Sequence, residues 1–420
     1  MAKRNIKATY FIETAHALPK VAEMMAGEQS SGTFVSLPGE TDQLKREHGA
    51  IVEKIEGIGM VPHPSLPGAR KPKEGELGFQ QAYVQLAWPF DNIGADLMAL
   101  MAAVAGNLYE LAPLSGIKLI DIEIPEEFMT QFNRPKHGIQ GTRILCGVEG
   151  RPVIGTIIKP SVGLTPEQTA EQVKILIEAG LDFIKDDELM GNPPHSPFEK
   201  RVQAVMKVVN DHAQKTGRKP MYAFNLSGEI DEMLYRHDFV MKNGGTCVMA
   251  NINWVGIAGL LALSKHAQVP IHGHRNFWGA LNRHSLLGME FTAYQKIFSI
   301  CGVDHLHTNG IRNKFCESDV SVIRSIRACL NPVNGGFQVM PVVSSGQWAD
   351  QAHDTYKAVR SFDLMYLCGG GITAHPGGMA AGVRSIQIAW EEALRGNTIY
   401  EIQDQYIEIK QAIDFYGKVT

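Results

Sequence analysis

Several features that mark special classes of protein are missing from the 420 residues of this chain. No stretch approaches the roughly 18 apolar residues that a membrane span needs, and no signal-type apolar run follows the basic residues 1–5. The 6 cysteines are scattered without a C-x-x-C pair, which is typical of reduced thiols. The net charge is −4 and no basic stripe is present. We therefore expect a cytoplasmic protein with neither a membrane nor a nucleic-acid partner.

The second part of the chain shows a repeated alternation of short apolar runs and helical patterns. Such alternation is typical of βα units around a parallel sheet, and eight units in about 250 residues match a (β/α)8 TIM barrel. A doubly wound open sheet is the alternative, but nothing in it explains a count of eight. The predicted strands are 153–159, 182–187, 221–225, 247–253, 270–275, 305–308, 339–344 and 364–368. Helical patterns between them include a capping box at 165–168 and apolar repeats at 320–330 and 383–390.

The first part of the chain has a different pattern. Strand-like runs at 8–13, 33–37, 50–56, 82–88 and 118–124 mix with helical runs at 19–26 and 95–104, and residues 62–77 form a loop rich in Pro, Gly and Lys. We therefore predict the α/β class, with a small α+β (ferredoxin-like) N-terminal domain at 1–126 and a C-terminal TIM-barrel catalytic domain at 127–420.

The carboxyl ends of the predicted barrel strands are unusually polar. Active sites of TIM barrels lie at this end, so these residues predict an enzyme. In the segment KDDE, strand alternation places Lys185 and Asp187 on one side, with Glu188 next to them, and carboxylates there suit Mg2+ better than Zn2+. Arg275 beside paired histidines suggests an anion such as phosphate, as do the bare glycines of 369–371 after the last strand. Non-functional interpretations stay open at this point: 185–188 as a solvated turn and 369–371 as a flexible glycine loop.

A family resemblance follows from the motifs and their order. The segments 155–164 (GTIIKPSVGL) and 180–188 (GLDFIKDDE) look like the paired signature of the RuBisCO large-subunit superfamily. The resemblance continues through 137–140 (HGIQ), 271–275 (IHGHR), 304–307 (DHLH), 341–344 (PVVS) and 369–371 (GGG), and covers nearly the whole chain. The sequence is therefore identified as resembling a RuBisCO-like protein of the form IV type.

The resemblance implies a role for each matching residue. Lys185 would react with CO2, the activator, to form a carbamate that binds Mg2+ together with Asp187 and Glu188. The implied catalytic residues are Lys159, Lys185, His274 and the lid lysine Lys314. The implied substrate-binding and phosphate-binding residues are Glu28, Thr33, Asn107, Arg275, His307, Ser344, Gly346, Gly369 and Gly370. Because Glu28 and Asn107 match small-domain residues that reach into a partner's site, the resemblance also implies a homodimer with shared active sites.

Departures from the carboxylase pattern shape the expected activity. Ser161 stands where carboxylases have a second lysine, and the lid segment 310–316 is unlike theirs. Asn107, Arg275 and His307 are retained, whereas the branch that enolises 2,3-diketo-5-methylthiopentyl 1-phosphate changes them. We therefore expect decarboxylation, or transcarboxylation and hydrolysis, of the phosphorylated sugar acid 3-oxo-isoapionate 4-phosphate. Four alternatives stay open: a 2,3-diketo-5-methylthiopentyl-1-phosphate enolase, another sugar-phosphate enolase or isomerase, a ribulose-1,5-bisphosphate carboxylase, and a non-catalytic scaffold.

Overall fold

The structure, a computed structural model, describes residues 4–32, 37–70 and 78–418. The chain divides into two compact units. The first comprises Met1–Phe132, Phe277–Ile300 and Pro332–Gly336, and the second comprises Asn133–Asn276, Cys301–Asn331 and Phe337–Thr420. The domain limits expected from the sequence, 1–126 and 127–420, stay a prediction.

The strands of the described chain are numbered in order. They are β1 (Asn5–Thr14), β2 (Ile51–Val61), β3 (Phe79–Pro89), β4 (Leu114–Glu123), β5 (Val153–Ile157), β6 (Phe183–Lys185), β7 (Met221–Asn225), β8 (Cys247–Asn251), β9 (Ile271–His274), β10 (Leu287–Met289), β11 (His305–His307), β12 (Met340–Val343) and β13 (Met365–Leu367).

The helices of the described chain are numbered in the same way. They are α1 (Leu18–Glu28), α2 (Asp42–His48), α3 (Leu97–Ala105), α4 (Glu126–Met129), α5 (Gly138–Cys146), α6 (Pro166–Glu178), α7 (Phe198–Thr216), α8 (Ile230–Lys242), α9 (Ile252–His266), α10 (Trp278–Asn282), α11 (Phe291–Ile300), α12 (Asp319–Leu330), α13 (Gln351–Val359), α14 (Gly370–Thr373), α15 (Gly378–Arg395), α16 (Ile399–Ile402) and α17 (Ile407–Tyr416). Short 3-10 turns occupy Phe90–Asn92 and Asn107–Glu110.

The sheet of the first unit has the strand order β10-β4-β1-β3-β2. Its antiparallel part, with a helix after β1 and another after β3, has the ferredoxin-like arrangement that the sequence predicts. Strand β10 pairs in parallel with β4 and was not predicted, because three residues are too few to show a period. Residues 33–36 of the predicted strand at 33–37 lie outside the described residues.

The second unit is a closed barrel of eight parallel strands in the order β11-β12-β13-β5-β6-β7-β8-β9. All eight predicted strands are confirmed, although most are one to three residues shorter than predicted. The capping box of α6 is present: the Thr165 hydroxyl accepts from Gln168 N, and the Gln168 side chain accepts from Thr165 N. Within the described residues, none of the helices has the length and apolar character needed to cross a membrane.

Candidate active site

Most residues expected to carry the chemistry lie at one end of the barrel. Because all eight strands are parallel, their carboxyl ends open on the same face. At or soon after these ends the structure places Lys159 (β5), Lys185, Asp187 and Glu188 (β6), His274 and Arg275 (β9), His307 (β11), Ser344 (β12), and Gly369 and Gly370 (β13).

The two adjacent aspartates after β6 point in different directions. Asp186 is directed into the interior, where Oδ2 accepts from Arg201 at 3.2 Å and from Asn225 N at 3.0 Å. Its Oδ1 accepts from the Tyr222 hydroxyl at 2.7 Å. Asp186 is therefore fully engaged in the fold, and Asp187 is the aspartate available to the site. The sequence indicated this alternation but gave no sign of the partner Arg201.

Lys159 and Asp187 form an ion pair at the centre of the cluster. The Lys159 ammonium donates to Asp187 Oδ2 at 2.6 Å and to Ser161 Oγ at 2.7 Å. The Asp187 side chain is only 1% exposed, whereas that of Lys159 is 37% exposed. An ammonium that contacts both a buried carboxylate and solvent can reach a bound molecule and deliver a proton to it.

Lys185 is the buried member of the cluster, with 1% of its side chain exposed. Its ammonium donates to the Asp186 carbonyl at 2.9 Å and lies 3.5 Å from Glu188 Oε2. Burial lowers the pKa of Lys185, and this effect outweighs the neighbouring carboxylates. The uncharged amine, the form that reacts with CO2, is therefore more accessible here than on an exposed lysine.

Two asparagines from neighbouring strands fasten the backbone of Glu188. Asn225, the last residue of β7, donates from Nδ2 to the Glu188 carbonyl at 3.1 Å, and Asn251, the last residue of β8, donates to the same oxygen at 2.9 Å. The sequence places both asparagines on the polar rim, but their shared acceptor becomes visible only in the structure.

His274 lies on the other side of Glu188. Its Nε2 is 3.5 Å from Glu188 Oε2, and its Nδ1 accepts from Asn276 N at 3.3 Å. Burial lowers the pKa of His274 to about 3, so the ring is neutral near pH 7. Since a neutral imidazole has one donor and one acceptor, its proton is on Nε2 and directed toward Glu188.

Arg275 is paired with an acid that sequence analysis did not single out. Arg275 donates to Glu317 Oε2 at 2.9 Å, and both side chains are buried. Glu317 also accepts from Asn309 Nδ2 at 2.6 Å and from Ser321 Oγ at 2.9 Å. In the sequence, Glu317 is marked only by its position three residues after Lys314. That position does not indicate that its partner is the arginine after β9.

His307 belongs to a row of buried histidines inside the barrel. His307 Nε2 is 2.8 Å from His272 Nε2, and His272 Nδ1 is 3.3 Å from His305 Nδ1. The row ends at Thr142 Oγ1, 2.8 Å from His305 Nε2, and at Ser344 Oγ, 3.1 Å from His307 Nδ1. The sequence shows these histidines as pairs along single strands, but not their contacts across strands.

Lys314 and Gly346 lie next to each other. Lys314 N donates to the Ser345 carbonyl at 3.2 Å, and a methyl group added at Gly346 would lie 3.5 Å from Lys314 Cβ. The Lys314 ammonium lies 5.3 Å from the ring centroid of Phe315. Lys314 is thus anchored by its backbone beside β12, with its charge over an aromatic ring.

The glycines after β13 differ in their surroundings. A methyl group at Gly369 would lie 3.8 Å from Lys159 Cε, so Gly369 lies beside the catalytic lysine expected from the sequence. Apart from its own chain neighbours and helix backbone, nothing lies within 4 Å of a methyl group added at Gly370. The carbonyl of Gly370 accepts from the Tyr416 hydroxyl at 2.8 Å.

The expected small-domain residues are described within the first unit alone. Asn107 Nδ2 donates to Glu28 Oε1 at 3.4 Å, so these two residues, far apart in sequence, lie together. Thr33, the third expected small-domain contact, lies outside the described residues.

A histidine-aspartate group on α8 and α9 was not predicted. Potential ligand atoms of His237, Asp238 and His266 lie within 4.8 Å of one another. However, His237 Nε2 accepts from Gln268 N at 3.1 Å. Burial lowers the pKa of His237, so the neutral ring carries its proton on Nδ1, which faces Asp238. That nitrogen is a donor rather than a metal ligand.

Two family models cover nearly all of the chain. Residues 138–416 match the ribulose bisphosphate carboxylase large chain, catalytic domain, and residues 2–128 match the N-terminal domain of the same protein. The chain belongs to the RuBisCO large-chain family. The resemblance inferred from the motifs is therefore confirmed.

Similar proteins of this family extend over the full length. The chain is 47% identical to the 3-oxo-isoapionate-4-phosphate transcarboxylase/hydrolase of Xanthobacter autotrophicus, covering 98% of this chain and 99% of that one. It is 44% identical to the 3-oxo-isoapionate-4-phosphate decarboxylase of Rhizobium etli, covering 93% and 94%. A crystal structure of a RuBisCO-like protein from Burkholderia fungorum has a TM-score of 0.91 at 41% identity, covering 98% and 99%.

Proposed function

We propose that this RuBisCO-like enzyme decarboxylates 3-oxo-isoapionate 4-phosphate, or transfers its carboxyl group and hydrolyses the product. The observation that supports this best is the cluster of Lys159, Lys185, Asp187, Glu188 and His274 at the open end of the barrel. The names of the similar proteins agree with the activity expected from the sequence. Intact charged residues also argue against a non-catalytic scaffold.

The donor set fits Mg2+, with Lys185, Asp187 and Glu188 as the residues that would hold it. Two carboxylates lie beside a buried lysine whose amine is made less basic by burial. A carbamate on that lysine, formed with CO2 as the activator, would complete a set of oxygen ligands, which hard cations prefer. When bound, the cation would stabilise negative charge on substrate oxygens.

The proposed chemistry requires an acid close to the reacting carbon. In a β-keto acid, the bond to the carboxylate breaks, CO2 leaves, and the electron pair passes to the ketone as an enolate. The enolate carbon then needs one proton, and the Lys159 ammonium, held by Asp187 and Ser161, is placed to donate it. Lys314, on the segment beside β12, is the alternative donor. His274, neutral and protonated on Nε2, orients rather than protonates the substrate.

The substrate's phosphate is assigned to the residues around β9, β11 and β12, with Gly369 and Gly370 as a second anion contact. Arg275 is the fixed cation of this group, and a guanidinium is well suited to bind phosphate with two parallel hydrogen bonds. Ser344 and Gly346 lie after β12, and Gly346 brings backbone close to Lys314.

We also propose a homodimer in which Glu28, Thr33 and Asn107 complete the partner's site. Co-expression of Glu28→Gln chains with Lys185→Ala chains tests this, because a mixed dimer would contain one site with neither change. Two inactive variants that regain up to about a quarter of wild-type activity together would support shared sites. Activity that never exceeds that of the separate variants would contradict them.

The test of function is carbon and phosphorus NMR of 3-oxo-isoapionate 4-phosphate with protein incubated in Mg2+ and bicarbonate. We expect the carboxyl signal to be lost, and Lys185→Ala to abolish the reaction. Lys207→Ala, which removes an exposed lysine, is the matched control. Labelled carboxyl carbon released as CO2 would indicate decarboxylation, whereas label retained in a product would indicate transfer. Unchanged spectra with folded, metal-loaded protein would overturn the proposal and favour the enolase substrates.

A further inference from the structure

The direction of the hydrogen bonds in the histidine row can be determined from its buried end. Thr142 Oγ1 lies 2.5 Å from the Gly138 carbonyl oxygen, a separation that requires a hydrogen between the two oxygens. A carbonyl can only accept, so Thr142 donates its single hydrogen to Gly138. At the contact with His305, Thr142 must then accept, which places a proton on His305 Nε2.

In each neutral ring, the nitrogen that carries the proton determines which nitrogen of the next ring must carry one. With its proton on Nε2, His305 offers Nδ1 as an acceptor, so His272 must carry its proton on Nδ1. The Nε2 of His272 is then the acceptor for a proton on His307 Nε2. Nδ1 of His307 remains as an acceptor, and the Ser344 hydroxyl donates to it.

Neutral rings are what this environment favours. His272 and His305 are fully buried and His307 is 5% exposed. Burial lowers the pKa of His305 to about 3 and the pKa values of His272 and His307 well below their ordinary value.

We propose that Thr142, His305 and His272 are positioning residues that hold His307 as the Nε2-protonated tautomer and turn the hydrogen of Ser344 inward. Both nitrogens of His307 are then used inside the barrel. The dianionic phosphate of the substrate has no hydrogen to donate, so at Ser344 it must turn the hydroxyl outward, which leaves His307 Nδ1 without a donor unless the tautomers reverse. The link to the substrate rests on the proposed function, whereas the tautomer assignment does not.

Nitrogen NMR of protein labelled with 15N-histidine tests the assignment directly. We expect His305 and His307 to show a protonated Nε2 and His272 a protonated Nδ1. Variants that each replace one histidine assign the signals. Thr142→Val removes the acceptor that sets the direction, so the His307 nitrogens should shift toward the average of two tautomers. Thr142→Ser keeps the hydroxyl and should retain the wild-type signals. Any other tautomer in the wild type, or unchanged His307 signals in Thr142→Val, would overturn the proposal.

Binding of methyl phosphate at about pH 8, where a phosphate monoester is a dianion without a hydrogen to donate, tests the consequence without requiring turnover. Thr142 favours the observed tautomers by about the free energy of one hydrogen bond. In Thr142→Val this preference is lost and the tautomers reverse more readily, so phosphate should bind roughly 2- to 10-fold more tightly. In the background of Ser344→Ala, which lacks the hydroxyl, Thr142→Val should have no such effect. If the NMR result holds but Thr142→Val binds phosphate equally or more weakly, the link to the substrate is wrong. A failure of the proposed function would instead appear as absent turnover with the tautomers intact.

Discussion

Arg275 and Glu317 form a buried ion pair, with 2.9 Å between Nη2 and Oε2 and side chains only 5% and 7% exposed. The arginine assigned to the substrate's phosphate therefore already has an anionic partner within the protein. A phosphate that binds Arg275 must share the guanidinium with this carboxylate or displace it.

Glu317→Gln should strengthen the binding of inorganic phosphate. The amide keeps the size and can still accept from Arg275, but it removes the charge that repels an anion. We expect a gain of up to roughly tenfold, corresponding to about 1.4 kcal/mol, measured by calorimetry. Ser321→Ala removes a hydrogen bond to Glu317 while leaving its charge and should change binding little. Weaker binding in Glu317→Gln would show that the carboxylate positions Arg275 rather than competing for it.

Arg201→Met should destabilise the barrel. The change leaves the buried Asp186 carboxylate without its cation, a loss that typically costs about 3–5 kcal/mol. Urea unfolding measures the difference in the free energy of unfolding. Lys207→Met, which breaks an exposed pair with Asp211, is the control and should cost less than about 1 kcal/mol. A similarly small cost for Arg201→Met would contradict the role of this buried ion pair in stability.

The buried histidines predict loss of stability in acid. In the unfolded chain a histidine has a pKa near 6.5, about the value of a model peptide, whereas burial lowers the pKa of His305 to about 3. Between these values the unfolded state binds more protons than the folded state. The contribution of His305 to the free energy of unfolding is therefore fully present above about pH 6.5 and is lost as the pH drops toward 3. Each such histidine adds a slope of at most about 1.4 kcal/mol per pH unit.

Unfolding free energies at pH 5, 6 and 7 measure this slope. His305→Gln should reduce it, because it removes one titrating group from the row. Val320→Ala, an exposed change that removes no ionisable group, should leave the slope unchanged. An equal slope in wild type and His305→Gln would mean that His305 titrates normally in the folded protein.

Mg2+ and bicarbonate together should raise the melting temperature of the wild-type protein. A ligand that binds only the folded state stabilises it by about 2.7 kcal/mol at a hundredfold excess over its dissociation constant. Lys185→Ala should abolish the rise, since it removes the amine that CO2 would modify. A rise that persists in Lys185→Ala would place the metal elsewhere.

The barrel could be predicted from sequence because eight short β-type runs alternate with helical patterns, and most of these runs end in polar residues. Those same ends identified Lys159, Lys185, Asp187, Glu188 and His274 as one group, since parallel strands bring their carboxyl ends together.

What could not be predicted depends on contacts between distant segments. Arg275 is paired with Glu317, and Asp186 with Arg201. Glu317 and Arg201 stand in segments that look like ordinary solvated helix starts, so neither segment indicates its partner. The histidine row joins two strands, β9 and β11, and a period along one strand cannot reveal it. Strand β10 exists because β4 offers an edge to pair with, not because of a pattern in its own three residues.

The two amides from Asn225 and Asn251 that converge on the Glu188 carbonyl separate backbone from side-chain motion at this position. The peptide is held from two neighbouring strands, while the carboxylate, with 32% of the side chain exposed, is not enclosed. The carboxylate can therefore change direction by rotation about its own side-chain bonds. Any gain or loss of a partner at Glu188 then needs no rearrangement of the loop.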